Sequence, residues 1–205
     1  MFNAVTIARE YGSGGADIGR KVAELLNWVC VDKQIIERVS ALGKVDPSWA
    51  AEADEHASAW WERVMKGFRK GSLESYVGEG PEFGVDCDTL QEFTARVIEG
   101  AAKEGNCVII GRSAQCVLRN HPNVLHSLVY GPLAEKIDRM KLRHPHTNDL
   151  QGLLNRIDSQ RTQYTQRYYG RDWADRGLYH LCVNSTLGID ICAKLIANVA
   201  SGTQL

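Results

Sequence analysis

Metal-type cysteine pairs are missing from this 205-residue chain: its six cysteines, at positions 30, 87, 107, 116, 182 and 192, include no CxxC. That removes the zinc and dithiol-redox patterns. Long apolar runs are missing too, since Cys107–Ile110 and Leu181–Val183 fall far short of the roughly 20 residues a membrane span needs. No charge sign dominates: 24 Lys and Arg face 25 Asp and Glu, a formal net charge of −1. With no global field to attract nucleic acid or an acidic membrane, any anion must be bound by a local arrangement. The 19 glycines and five prolines are too few and too scattered for a low-complexity chain. The first 30 residues lack the order of a signal peptide, because Arg9, Glu10 and Asp17 interrupt them. Most cysteines lie in apolar stretches, which reads as reduced, buried thiols of a cytoplasmic protein. Ser13 and Ser113 are not in GxSxG, since Tyr11 and Gln115 occupy outer positions, and no serine hydrolase is read. His121, His126, His144 and His146 have no ligand spacing with carboxylates.

What remains is an ordinary globular balance, 44% apolar and 24% charged, enough to bury one domain's core. Ala4–Ala8 (AVTIA) is a β-prone run, followed by the cluster Gly12, Gly14, Gly15. Then comes a helical stretch, Ala16–Leu26, with Ile18, Val22 and Leu25 or Leu26 on one face. Trp28–Val31 reads as a second strand and Asn106–Ile110 as a central parallel strand apolar on both faces. Val124–Tyr130 and Tyr179–Asn184 are further strands. Thr89–Glu104, Pro132–Arg143, Asp149–Tyr169 and Gly188–Val199 are helices. Between them, Ser48–Lys70 carries Trp49, Trp60, Trp61, Val64, Met65 and Phe68 at helical spacing, and a glycine-rich break follows at Gly71–Gly84. The alternation predicts an α/β fold, an open parallel sheet with helices on both faces in three layers.

A glycine turn between first strand and first helix makes an anion site. Successive amides point into the concavity, the helix front adds partial positive charge, and glycines let phosphate oxygens approach the main chain. The turn is Arg9-Glu10-Tyr11-Gly12-Ser13-Gly14-Gly15-Ala16-Asp17. It matches neither GxxxxGK[ST] nor GxGxxG. The alternative is a turn that only packs strand on helix tightly.

Four segments carry a resemblance: AVTIAREYGSGGADIGRKVAELL, VDKQIIERV, VIIGRSAQCVL and RYYGRDWADRGLYHLCVNSTLGID. Together they resemble the cytidylate kinase-like family of P-loop phosphotransferases, over about residues 4–196. The resemblance implies one P-loop kinase-like domain over 1–205, with a helical acceptor-binding insertion at about 40–95 and a lid at about 149–175. It implies ATP and Mg²⁺ as cofactors, a small nucleotide as substrate, and neither nucleic acid nor membrane as partner; a homodimer stays open. It places Arg9 at the first position of the phosphate loop, with Tyr11, Gly12, Ser13, Gly14, Gly15 and Ala16 along the donor. The family's lysine corresponds to Gly15 and its hydroxyl residue to Asp17. Arg9, Arg20, Lys21 or a lid arginine must then supply the missing charge. Asp17 serves either as Mg²⁺ ligand or as an acid favoured by the helix dipole.

The resemblance also sets Asp32 against the aspartate of the family's LDSG stretch, with Lys33 and Gln34 in place of Ser and Gly; Asp32 equally suits a helix cap. Gly111-Arg112 resembles the DGRD stretch whose arginine holds the acceptor phosphate. Its position at the end of a central strand fits binding, a surface arginine being the alternative. Asp158 and Arg161 resemble the D-x-x-R of a lid. Arg156, Arg161 and Arg167 would neutralise the moving phosphoryl group, against the alternative of a solvated helix face. Trp173, Tyr179 and Tyr169 are read as packing. The implied activity is ATP-dependent phosphorylation of a nucleoside monophosphate such as CMP. The rivals are a non-catalytic nucleotide-binding module and a kinase of another small metabolite.

Overall fold

The computed structural model describes residues 1–32 and 87–203. The Trp-rich stretch, the glycine-rich break and Lys33-Gln34 lie outside the described residues. The chain divides into two compact units, Met1–Cys30 with Asn106–Leu205, and Val31–Gly105. In the second, helix α2 (Cys87–Glu104) buries Thr94, Val97, Ile98, Ala101 and Ala102, a single stripe at helical spacing.

The first unit is built on a five-stranded parallel sheet of order β2-β3-β1-β4-β5. The strands are β1 (Ala4–Arg9), β2 (Val29–Val31), β3 (Cys107–Ile110), β4 (Val124–Tyr130) and β5 (Leu181–Asn184). β1 lies between β3 and β4, with Ala4 opposite Cys107 on one side and Val124 on the other. Ala4 through Ala8 are all buried, as a parallel strand covered on both faces must be. The expected α/β fold is the fold observed. Three strands open later than the sequence suggests, β3 because Asn106 takes a left-handed φ of 49°. Trp28 donates its amide to Ala23 O at the exit of the first helix, and Tyr179 bonds back to Arg176 O, so neither joins the sheet.

Helices α1 (Gly15–Leu26) and α6 (Ile189–Ser201) pack together on one face. Ile18, Val22 and Ala23 from α1 and Cys192, Ala193, Ile196, Ala197 and Ala200 from α6 meet Val5, Ile7, Val108, Ile110, Leu125 and Val129 of the sheet. Each large apolar side chain so buried contributes roughly 1.5–3 kcal/mol relative to exposure. The short α3 (Ala114–Val117) follows β3, and α4 (Leu133–Arg143) and α5 (Leu150–Tyr169) follow β4. Asp149 caps α5 by accepting the Gly152 amide at 2.7 Å. On the other face Ala8 and Leu128 are covered by Trp173 and Tyr179, so these aromatics pack the core. Trp173 Nε1 donates to Thr162 Oγ1 at 2.8 Å.

That second face also holds a histidine pair. His126, 5% exposed, stacks on His180 at 5.2 Å and shares a 2.8 Å hydrogen bond between its Nδ1 and Thr6 Oγ1. Burial, then the neighbouring His180, lowers its pKa to about 4 from 6.5. The fold therefore binds fewer protons here than the unfolded chain between those values, and stability falls as pH drops from 6.5 towards 4. His126 is expected to contribute about 3 kcal/mol of acid sensitivity across that window. Urea denaturation at pH 7 and pH 4.5 should show a flatter pH dependence in His126→Gln than in the parent; equal slopes would contradict it.

Candidate active site

The turn from β1 into α1 puts its glycines to two uses. Gly12 and Gly14 adopt φ of 82° and 79°, the left-handed region that costs glycine nothing. Gly14 caps α1 without any side-chain bond. The first helical hydrogen bond is Ile18 N–H to Gly14 O at 3.0 Å, so the amides of Ala16 and Asp17 leave the front of α1 without an intrahelical acceptor. A Cβ on Gly14 would meet Arg139 Nε at 3.9 Å, an ordinary contact with room for the extra atom. A Cβ on Gly12 would instead sit 3.0 Å from Leu154 Cδ2 and 3.1 Å from Lys136 O. The Gly14 side of the turn has room for a Cβ, and the Gly12 side is packed tightly against α4 and α5. Donated amides, a positive helix end and bare Cα atoms together suit phosphate oxygens.

The turn is held through its own main chain. Tyr11 N donates to Asp158 Oδ1 at 2.8 Å, Arg161 Nη1 donates to Arg9 O at 2.7 Å, and Arg161 bonds Asp158 at 2.8 Å. Burial pushes the Asp158 carboxyl up, and the Tyr11 amide and Arg161 pull it back. The Arg161 guanidinium also lies 5.7 Å from the Tyr11 ring centre, and Tyr11 Oη bonds His144 Nε2 at 2.9 Å. Ser13 Oγ donates to Glu10 O at 2.8 Å. From α4, Lys136 Nζ reaches Glu10 Oε2 at 2.9 Å, and Arg139 Nη1 donates to Ser13 O at 3.2 Å and Ser185 Oγ at 3.1 Å.

The α4 cations are what the sequence reading missed. Lys136, Arg139 and Arg143 are spaced i, i+3, i+7, one face of a helix, and all three reach the turn or the first turn of α1. Arg143 Nη2 takes Asp17 Oδ2 at 2.7 Å, and Arg20 Nη2 takes Asp17 Oδ1 at 2.6 Å. The spacing was visible; the target was not.

The expected site residues separate into groups. Arg9 through Asp17 form the turn and the helix front. Arg161 faces inward with Leu154, Asp158 and Thr165, whereas Arg156 and Arg167 are exposed. Asp32 is half-buried directly after β2 and belongs to the second unit. Arg112 follows β3 in a turn where Gly111, Arg112 and Ser113 take φ of 81°, 57° and 53°. Consecutive left-handed non-glycine residues carry strain that the surroundings must hold. Here Ser113 Oγ bonds Thr165 Oγ1 at 2.7 Å, and the Arg112 guanidinium lies 6.0 Å from the Tyr164 ring centre. β1 leaves through α1 to β2 at one edge, whereas β3 leaves towards β4 on the opposite side. The crevice between their ends is therefore a topological switch point, where open α/β sheets take ligands.

A hard cation fits this site less well than phosphate does. Both Asp17 oxygens hold arginines, and among the described residues no group of three His, Cys, Asp or Glu could hold a metal. Asp17 is thus committed to Arg20 and Arg143 rather than to a metal. No helix among the described residues is long and apolar enough to cross a membrane.

The model of the cytidylate kinase-like family matches residues 4–187. The chain belongs to the cytidylate kinase-like family. Nucleotide and metal use in general go with membership, and a small-molecule kinase fold is supported. Solved structures agree on the fold. An uncharacterized protein from Eubacterium ventriosum is 18% identical with a TM-score of 0.69, covering 97% of this chain and 98% of that one. A shikimate kinase from Bacteroides thetaiotaomicron is 14% identical with a TM-score of 0.51, covering 98% and 99%. A gluconokinase from Sinorhizobium meliloti is 15% identical with a TM-score of 0.51, covering 98% and 94%. A comparison with curated proteins finds no match.

The clasp on the turn has a measurable cost. Arg161→Ala removes the donor of the Arg9 carbonyl and leaves the half-buried Asp158 carboxylate with the Tyr11 amide but no cation, and is expected to cost about 2 kcal/mol. Urea denaturation reads this, and an unchanged midpoint would contradict the assignment.

Proposed function

We propose that the chain is a cytoplasmic ATP-dependent phosphotransferase whose acceptor is a nucleoside monophosphate, CMP-like in class. The observation that carries the reading is the front of α1, where the Ala16 and Asp17 amides have no intrahelical acceptor beside the β1/β3 crevice. The donor's phosphates lie along Gly12–Asp17. The acceptor's phosphate is held by Arg112, whose planar guanidinium suits a bidentate phosphate contact. Both sites open at the carboxyl ends of adjacent strands, so donor and acceptor meet in one crevice. Phosphoryl transfer asks for in-line positioning and neutralised charge rather than covalent help. A divalent metal brought with the donor would shield its phosphates, while Asp17 stays with Arg20 and Arg143.

The three arginines of α5 divide the work. Arg161 acts through the turn: it fixes the Arg9 carbonyl and, by way of Asp158, the Tyr11 amide, so that the amides ahead keep their aim. Arg156 and Arg167, exposed on α5, serve the lid segment 149–175 and neutralise the moving phosphoryl group.

One departure favours a second reading, a kinase of the same fold acting on another small metabolite. The acid that follows the arginine in the DGRD stretch is Ser113 here, and its hydroxyl is spent on Thr165.

Coupled-assay turnover with ATP and Mg²⁺ across CMP, dCMP, UMP, AMP and GMP tests the first reading. Turnover with one of these is expected, and Arg112→Ala should raise that acceptor's KM by at least about tenfold while leaving ATP affinity in place. Silence with all five would reject the nucleotide reading and leave the metabolite kinase.

A further inference from the structure

The loop GxxxxGK[ST] carries a small residue at its first position and a cation at its sixth place after that. This chain carries Arg9 at the first and Gly15 at the second. The two positions touch. A Cβ built on Gly15 would overlap Arg9 Cβ, and it would lie 3.0 Å from Arg9 Cγ and 3.2 Å from Val129 Cβ. Gly15 itself is buried. On this backbone, positions 9 and 15 cannot both bear side chains, so whichever one carries the cation obliges the other to be glycine.

From β1 the Arg9 side chain runs past Gly15 towards the end of β3. A Cβ on Gly111 would overlap its Nη1 and lie 2.9 Å from its Cζ and 3.3 Å from its Nη2. The guanidinium therefore rests on the bare Cα of Gly111, in the β1/β3 crevice, beside Arg112. Like Arg9, the other cations near the turn interact with groups of the protein. Arg20 and Arg143 hold Asp17, Lys21 pairs with Glu24 at 3.1 Å, Lys136 holds Glu10, and Arg161 holds the Arg9 carbonyl. Arg139 is bonded to the carbonyls of Ser13 and Ser185.

We infer that Arg9 and Gly15 are an exchanged pair: the charge that a phosphate-loop lysine brings from the helix is brought here from the strand, and Gly15 makes the room for it. Its ligand is the terminal phosphate of a nucleoside triphosphate lying in the turn, which the guanidinium reaches from the crevice side. A planar fork can grip two phosphate oxygens at once, where an ammonium offers one point charge. The inference rests on the donor-site reading and deepens it.

Two measurements test it. The first needs no ligand. Gly15→Ala should lower Tm by several degrees when Arg9 is present and by clearly less in the Arg9→Gly background, because the overlap is then gone; equal losses in both backgrounds would overturn the steric exchange. The second is ATP and ADP binding by calorimetry with Mg²⁺. Arg9→Gly should weaken ATP at least about tenfold, and ADP by less, as expected of one lost charged contact to the terminal phosphate. Arg9→Gly/Gly15→Lys should recover most of that loss. Parental ATP affinity in Arg9→Gly, or a double variant that folds yet binds ATP no better than Arg9→Gly, would overturn the inference and leave the donor site standing. If the parent itself binds no ATP, the donor-site reading fails and the exchanged pair falls with it.

Discussion

The structure depends on how the turn after β1 is gripped from outside. Three main-chain groups of that turn, the Arg9 carbonyl, the Tyr11 amide and the Ser13 carbonyl, are bonded to Arg161, Asp158 and Arg139 on α5 and α4. An anion-binding turn has to present its amides in fixed directions before the anion arrives, since reorganising them on binding costs the affinity they provide. Fixing the carbonyls does this while the Ala16 and Asp17 amides stay unused at the helix front and the Gly15 amide makes a long bond to Ser13 Oγ at 3.3 Å. The Asp158–Arg161 pair is half-buried, where a charged hydrogen bond is stronger than in water and the loss of one partner is costly.

The charge arrangement follows from the same constraint. With a formal net charge of −1, the protein has no field of its own to gather phosphates, and cations must be concentrated where they are wanted. Arginines and lysines from α1, α4 and α5 converge on one strand end, each with its own partner. Glu10, Asp17 and Asp158 keep these cations in place when no anion is bound. The stacked His126–His180 pair lies away from this region, on the second face of the sheet, and belongs to folding rather than to chemistry.

Sheet and helices were legible from the sequence because the core strands are nearly all apolar and the turns carry their glycines. Ala4–Ala8 and Cys107–Ile110 admit few readings other than buried parallel strands, and Asp149 announces the start of α5. The phosphate turn could be placed as well, since strand, glycines and helix follow one another in order. Three things could not be read. The inward aim of Arg161 required knowing which face of α5 meets the turn. The part played by α4 required knowing that Lys136, Arg139 and Arg143 point at the turn rather than at solvent, for which i, i+3, i+7 spacing is necessary but not enough. The overlap of positions 9 and 15 is a contact across a turn, and a one-dimensional pattern that asks for lysine at position 15 sees only an absence.

The central claim is that the amides at the front of α1 hold the phosphates of a nucleotide. Titration of ¹⁵N-labelled protein with Mg²⁺ and a non-hydrolysable ATP analogue tests it most directly, residue by residue. Gly14, Gly15, Ala16 and Asp17 amides should move downfield and saturate together, as donors taking up anionic acceptors do. Saturable shifts confined to other parts of the chain, with these four amides unmoved, would contradict it.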